Sequence, residues 1–171
     1  WQFNWTGSSY KKTSKTIAGD KIWYSPAIGD IDDDGIDEVI FGSDDGYVYC
    51  VNWTGSSWLL EWKYNIGSSI SSSPAIADVN KDGYLDVIIG ATDKNLYVIS
   101  GGNSPHLIFK YTVGGSVCFP AIGDVNNDDV MDIVFAGGGD CTLYVITGSG
   151  GVTKGYYEEV SANKTINKKA E

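Results

Sequence analysis

A nine-residue segment recurs three times along the chain, and its pattern constrains everything around it. The copies read DIDDDGIDE from Asp30 to Glu38, DVNKDGYLD from Asp78 to Asp86 and DVNNDDVMD from Asp124 to Asp132. Positions one, three and five carry side-chain oxygens: Asp30, Asp32 and Asp34; Asp78, Asn80 and Asp82; Asp124, Asn126 and Asp128. Position nine is acidic every time, as Glu38, Asp86 and Asp132. Alternate oxygen donors on a tight turn, closed by a carboxylate, suit a hard cation such as Ca²⁺, which takes about six to eight oxygens with little directional demand. Gly35 and Gly83 at position six permit the sharp turn this requires. One such cluster is commonly a solvated turn. Three copies in one register call for a shared cause, and a cation supplies it.

The loop is not an EF-hand, which closes with Glu at position twelve and lies between helices. Here the closing acid runs directly into β-type apolar residues, Val39-Ile40-Phe41, Val87-Ile88-Ile89 and Ile133-Val134-Phe135. Each loop therefore joins two strands. Aligning Ser25-Pro-Ala-Ile-Gly-Asp30, Ser73-Pro-Ala-Ile-Ala-Asp78 and Phe119-Pro-Ala-Ile-Gly-Asp124 gives periods of 48 and 46 residues. Repeats of this size mean stacked supersecondary units. Every unit runs through the same series: a short strand ending in Pro-Ala-Ile, the Asp loop, an apolar strand ending in Gly (Gly42, Gly90, Gly137), a hairpin, and a third strand (Val48–Asn52, Leu96–Ser100, Leu143–Thr147). A fourth strand follows at Leu59–Asn65 and Leu107–Val113.

Four short antiparallel strands per repeat predict an all-β chain built as β-propeller blades. Val87-Ile88-Ile89 and Leu96-Tyr97-Val98-Ile99 are apolar on both faces, so each blade needs a cover on both sides, which neighbouring blades provide. Tyr49, Tyr97 and Tyr144 recur at one strand position and are assigned to packing between blades. The predicted layout is a leading half blade over 1–19, blades over about 20–67, 68–115 and 116–160, and a polar, extended tail over 161–171. The opening WQFNWTG matches Cys50-Val-Asn-Trp-Thr-Gly55, so the sequence begins in mid-repeat and reads as a segment of something larger, with any leader already missing.

Charge narrows the partners. The formal net charge is −10, and all 12 basic residues are Lys. Nucleic acid and anionic membranes need clustered Lys and Arg and are not expected as partners. The carboxylates assigned as ligands, four in the first copy and three in each of the others, equal the whole net charge, so metal sites account for the acidity. No apolar run approaches the ~18 residues of a membrane span. Among the three Cys, Cys50 lies in an apolar strand and is expected to be a buried small hydrophobe. Cys118 and Cys141 share a repeat and are either a disulfide or two free thiols.

The Pro-Ala-Ile-Gly-Asp lead-in, the Asp loop and the Phe-Gly or Ile-Gly that follows it resemble the FG-GAP repeats of the integrin α-chain propeller and the related VCBS repeats, over residues 20 to 147. The Trp-Lys-Tyr fourth strand is also similar to quinoprotein-type propellers. The resemblance implies a Ca²⁺-stabilised, extracellular or cell-surface propeller that binds proteins or glycans in adhesion or assembly. It places Ca²⁺ ligands at Asp30, Asp32, Asp34 and Glu38, at Asp78, Asn80, Asp82 and Asp86, and at Asp124, Asn126, Asp128 and Asp132. It adds the backbone carbonyls of Ile36, Tyr84 and Val130. Glu38 is longer than the usual closing Asp, and Asp129 replaces the turn Gly, so the second loop is expected to be the best formed and the third the weakest.

Other features point less far. His106 is the only His, which leaves no histidine cluster for zinc and makes a surface role the simplest. Gly137-Gly138-Gly139 lacks the following Lys-Ser/Thr of a phosphate loop and reads as a hairpin. Asn4-Trp5-Thr6, Asn52-Trp53-Thr54 and Asn163-Lys164-Thr165 are N-glycosylation sequons. Trp5 and Trp53 are the tryptophans expected to be exposed, and a lectin-like reading would use such rings. An enzyme reading, a propeller portion of a polysaccharide-degrading protein, needs paired acids outside the loops, and Glu61, Glu158 and Glu159 form no convincing pair. The sequence therefore predicts a non-catalytic binding or structural module with three Ca²⁺ sites, completed by further blades of its own chain or by neighbouring subunits.

Overall fold

The structure, a computed structural model, describes the backbone of residues 2–5, 10–139, 142–147 and 158–159, with side chains over 14–139 and 142–147. The Trp5 side chain, Cys141, the sequons at Asn4 and Asn163 and the tail from 161 lie outside the described residues. Cys118 carries a free thiol.

Every regular element among the described residues is a β-strand. A two-stranded hairpin, β1 (Gln2–Trp5) and β2 (Tyr10–Thr13), leads into three antiparallel sheets. The first sheet orders β3 (Ala27–Gly29), β4 (Glu38–Gly42), β5 (Tyr47–Trp53) and β6 (Trp58–Asn65) side by side in chain order. The second repeats it with β7 (Ala75–Ala77), β8 (Asp86–Gly90), β9 (Asn95–Ile99) and β10 (Leu107–Thr112). In the third, β11 (Ser116–Val117) and β12 (Ala121–Gly123) both pair with β13 (Asp132–Gly138), which continues to β14 (Thr142–Thr147) and β15 (Glu158–Glu159). The short strands β3, β7 and β12 lie against one another in turn, so the three sheets splay from a common inner edge.

One sequence expectation about these inner strands is corrected. They begin after the Pro and do not end in Pro-Ala-Ile, because Pro26, Pro74 and Pro120 have no N–H to give to a ladder. In the third sheet the proline splits the strand, leaving β11 before it and β12 after it on the same partner. In the second sheet the earlier piece is reduced to a single bridge, Ile70 to Ala91.

The strands are apolar on both faces because each face meets a different neighbour. On the second sheet Val87, Ile89, Tyr97 and Ile99 pack with Ile40, Val48, Cys50 and Trp62 of the first. The alternate residues Ile88, Leu96 and Val98 pack with Ile133, Phe135, Tyr144 and Ile146 of the third. The other face of the first sheet, Phe41, Tyr49 and Val51, is covered by Ile17, Ala18 and Trp58. A full side chain of this kind contributes about 1.5–3 kcal/mol on burial, so the two seams hold most of the apolar stabilisation. Tyr49, Tyr97 and Tyr144 are all buried and each faces the preceding unit, as the repeat predicts. Tyr49 stacks on Phe41 at 5.2 Å, and Tyr144 on Phe135 at 5.2 Å. The Tyr49 hydroxyl donates to Asp45 and the Tyr97 hydroxyl to Asp93, each at 2.5 Å. Burial, then these carboxylates, push both phenols up to about 12.

Two glycines set how closely the sheets approach. A Cβ on Gly42 would lie 2.3 Å from Cγ2 of Ile70, and one on Gly90 would lie 2.6 Å from Cβ of Val117. Ile70 and Val117 each enter the next sheet and are nearly fully buried, so the glycine that ends each apolar strand is the socket for the following unit. Polar ties reinforce the first seam: Ser69 donates to Asp44 at 2.5 Å, and Trp23 Nε1 donates to its other oxygen at 2.6 Å.

Candidate metal centres

Each Asp loop joins an inner strand to the next one: β3 to β4, β7 to β8, β12 to β13. All three have one hydrogen-bonding scheme. The first carboxylate accepts from the amides at positions five and six, Asp34 and Gly35 onto Asp30, Asp82 and Gly83 onto Asp78, Asp128 and Asp129 onto Asp124, at 2.9–3.2 Å. The fifth residue accepts from the amide at position seven, Ile36, Tyr84 or Val130, at 2.8–2.9 Å. The chain is thereby wound around a point, with carboxylates turned inward by their own backbone.

The winding needs two left-handed residues per loop. Position six is one, at φ 88° for Gly35, 94° for Gly83 and 62° for Asp129. Position four is the other, at φ 61° for Asp33, 60° for Lys81 and 59° for Asn127. The sequence revealed the first through its glycines and concealed the second, since Lys81 carries no signal for that conformation.

The closing acid is the most telling group. Glu38, Asp86 and Asp132 are 0% exposed. One oxygen of each accepts from the amide at position two, Ile31, Val79 or Val125, at 2.8–3.1 Å. The other oxygen, Glu38 Oε1, Asp86 Oδ1 and Asp132 Oδ1, is buried with no hydrogen-bond donor, and so is Asp32 Oδ1. A buried carboxylate oxygen without a donor costs free energy, which a cation in contact with it offsets. Burial pushes Glu38 up to about 7 against the opposing Ile31 amide, and Glu61, Asp32 and Asp34 add to the rise. Burial likewise pushes Asp86 up to about 7, opposed by the Val79 amide and assisted by Asp82 and Asp78. Asp32 is raised by burial and by Asp34. Asp124 is lowered: burial acts upward, and the amides of Asp129, Asp128, Asn127 and Asn126 outweigh it.

Ligand oxygens of Asp30, Asp32 and Glu38 lie within 4.8 Å of one another. The second and third loops have an amide at position three, whose oxygen accepts from the amide N–H of Asp82 or Asp128 while its nitrogen donates to that residue's carboxylate. Among the described residues Asp30, Asp32 and Glu38 are the acids whose oxygens come so close together; Asp34 and the acids of the second and third loops form no such group. The donor set of oxygens, with orphaned buried acceptors among them, fits a hard divalent cation.

The loops differ in cover. Position two is 0% exposed at Ile31 and 3% at Val79, and Val125 is 56% exposed. Gly102, in the turn between β9 and β10, donates its N–H to the Ile31 carbonyl at 3.0 Å, so the second sheet roofs the first loop.

Comparison with known proteins follows this geometry. Residues 30–89 match the FG-GAP-like repeat family. That stretch is similar to the FG-GAP-like repeats. It runs from the first carboxylate of the first loop to Ile89 on β8 and so contains two of the three loops. The Pseudomonas aeruginosa PilY1 C-terminal domain is similar in structure, with a TM-score of 0.50 at 18% identity over 73% of this chain. The chain spans 30% of that domain's length. No curated protein sequence matches it. These likenesses show an all-β, propeller-like array with a stretch similar to FG-GAP-like repeats.

The remaining candidates behave differently from one another. Trp23, at 66% exposed, is the most open of the large apolar side chains, whereas Trp53 is half-buried against Trp58 at 5.2 Å. Asn52 is half-buried within β5, and its side-chain nitrogen, where a glycan would attach, donates to Glu61 at 3.0 Å. His106 Nδ1 lies 2.7 Å from Ser100 Oγ, which also accepts the His106 amide, closing their hairpin. No helix among the described residues is long and apolar enough to cross a membrane.

Proposed function

We propose that the chain is a Ca²⁺-stabilised propeller module of an extracellular or cell-surface protein, used for protein binding, adhesion or structural assembly and without catalysis of its own. The observation that carries this reading is the buried closing carboxylate of each loop with one oxygen lacking a donor. Asp30, Asp32, Asp34 and Glu38, Asp78, Asn80, Asp82 and Asp86, and Asp124, Asn126, Asp128 and Asp132 are the side-chain ligands, joined by the carbonyls of Ile36, Tyr84 and Val130. The cation's contribution is to fold: it neutralises carboxylates that repel one another across the strand junctions. Free Ca²⁺ at about millimolar concentration matches the ~10⁻⁴–10⁻³ M dissociation constants of extracellular modules, which favours an extracellular setting.

Binding at a surface is favoured over catalysis because the inward-facing acids are engaged with the loop backbones. The Ser100–His106 pair closes a hairpin, with Ser100 only 3% exposed. Val125 and Met131 of the third loop and Leu143 of β14 are 44–56% exposed, apolar surface suited to a further sheet from the same chain or a neighbouring subunit. Thermal unfolding in Ca²⁺ and in chelator tests the reading. A midpoint several degrees higher in Ca²⁺ supports it, and equal midpoints reduce the loops to solvated turns.

A further inference from the structure

A second set of oxygens lies beside the first loop, on the sheet. Between β4 and β5, Val39 pairs with Val51, which puts Glu38 opposite Asn52 at the next step. Between β5 and β6 the register shifts: Val51 pairs with Leu60 and Cys50 with Trp62, leaving Glu61 as the extra residue of a β-bulge. A bulge re-aims its side chain. Glu61 is accordingly turned onto the face that carries Cys50 and Asn52, where Oε1 accepts from Asn52 Nδ2 at 3.0 Å and Oε2 from Cys50 Sγ at 3.5 Å. Glu38, Asn52 and Glu61 thus form a row across three strands.

The row has too many acceptors. Glu38 Oε1 and Asn52 Oδ1 are both buried without a donor, although Glu38 is wholly buried and Asn52 half-buried. Glu61 is the foremost of the like charges acting on Glu38, ahead of Asp32 and Asp34 of the loop itself. Acceptors facing acceptors in a site shielded from water are stable together when a cation lies between them. The second sheet has the same bulge, with Ile108 in the place of Glu61, and there Ser100 stands opposite Asp86 with its hydroxyl already engaged by His106. The extra acid belongs to the first sheet and is not part of the repeated pattern.

We propose that Glu61, with Asn52 Oδ1, is an additional oxygen donor to the divalent cation of the first loop, so that this site draws ligands from β4, β5 and β6 and ties the sheet together from its inner to its outer strand. Asn52 holds Glu61 through its nitrogen and offers its oxygen to the ion. The inference rests on the Ca²⁺ reading of the loops and adds to it a fifth carboxylate side chain, after Asp30, Asp32, Asp34 and the closing Glu38. More anionic oxygens mean tighter binding, which makes the first site, and not the second, the strongest of the three.

The test is calorimetric titration of Ca²⁺ into the wild type, into Asp78→Ala/Asp124→Ala, which isolates the first loop, and into that double variant with Glu61→Gln added, with unfolding midpoints in Ca²⁺ and in chelator. Gln preserves the size of the side chain and still accepts from Asn52. The expected result is about tenfold weaker binding at the first loop. In chelator the variant should melt higher than its parent, because one repelling charge is gone, while in Ca²⁺ it should melt lower. A merely structural Glu61 would move both midpoints the same way. Unchanged first-loop affinity and an unchanged Ca²⁺-induced shift overturn the inference. Absence of any Ca²⁺ binding by the intact protein overturns the reading beneath it instead, and the wild-type titration separates the two.

Discussion

The first and second sheets have the same strand order, loop hydrogen bonds and Asp–Tyr hairpin brace, and they part company along one row of residues. In the first the row is Glu38, Asn52 and Glu61; in the second it is Asp86, Ser100 and Ile108. Ser100 is satisfied inside its own hairpin by His106. Ile108 joins the apolar seam with the third sheet. Asn52 and Glu61 instead leave a cluster of oxygens beside a buried Glu38. A repeat can therefore keep its backbone and its loop while one bulge position decides whether the neighbourhood is closed by apolar packing or by charge.

On the proposed Ca²⁺ reading, removing all calcium should have the largest effect, since it would act on all three sheets. At about millimolar Ca²⁺ and a dissociation constant of ~10⁻⁴ M, one site contributes about 1.4 kcal/mol, and three contribute about 4 kcal/mol. That is a large part of a typical stability of ~5–15 kcal/mol. Differential scanning calorimetry of the chelated protein should show it as a lower midpoint, and an unchanged midpoint would remove the physical basis for comparing the loops at all.

The seams come next. Gly42→Ala places a methyl 2.3 Å from Ile70, with two further Ile70 carbons at 2.7 and 2.8 Å, whereas Gly90→Ala meets Val117 at 2.6 Å. Overpacking of this kind costs about 1–3 kcal/mol. Both variants should lower the urea midpoint, Gly42→Ala by more; negligible shifts would show that the sheets can slide apart at no cost, and equal ones that the two seams are equally tight.

Loop knock-outs sharpen the comparison further. Asp78→Ala removes the carboxylate that holds the amides of Asp82 and Gly83 and should abolish the second site, costing about 1.4 kcal/mol in Ca²⁺. The matching Asp30→Ala leaves Asp32, Asp34, Glu38 and, on our inference, Glu61, so weakened Ca²⁺ binding should survive at the first loop. Complete loss at both would place the two loops on an equal footing.

Much of this was legible from the residues, for physical reasons that differ by element. The carboxylates that wind each loop are visible because the backbone amides they accept from dictate residue type directly, and the two-faced apolar strands are visible because both faces are buried. The inner strands differ from their expected bounds because Pro74 and Pro120 cut ladders that the small-residue run ending in Pro-Ala-Ile suggests are continuous. Asn52 reads as a sequon and Glu61 as a lone acid until the bulge between Cys50 and Val51 puts them on one face. A bulge leaves no mark in composition or period; the only hint is a charged residue flanked by Leu60 and Trp62. Trp53 was misjudged as exposed for a related reason, since its partner Trp58 lies across a hairpin that the Asn-Trp-Thr-Gly motif does not announce.

The smallest effect tests the third loop against the second. Asp129 occupies the place of Gly83 and makes the same backbone bond, its amide donating to Asp124 Oδ2 at 2.9 Å as the Gly83 amide donates to Asp78 Oδ2 at 3.0 Å. What differs is the conformational cost: Asp129 is held at φ 62°, a region Gly enters freely and Asp only with some strain. Asp129→Gly relieves that strain in the folded loop and also removes a charge from the metal's surroundings, while it raises the entropy of the unfolded chain. The relief outweighs the entropy where φ is positive, so the substitution should stabilise the protein by something under about 1 kcal/mol. The gain should persist in chelator, because it comes from the backbone and not from the ion. The parallel change at position four, Asn127→Gly, should give less, since Asn tolerates the left-handed region better than most residues. Equal gains at the two positions in chemical denaturation would show that strain does not distinguish the third loop from the second, and would leave its exposed Val125 as the feature that sets it apart.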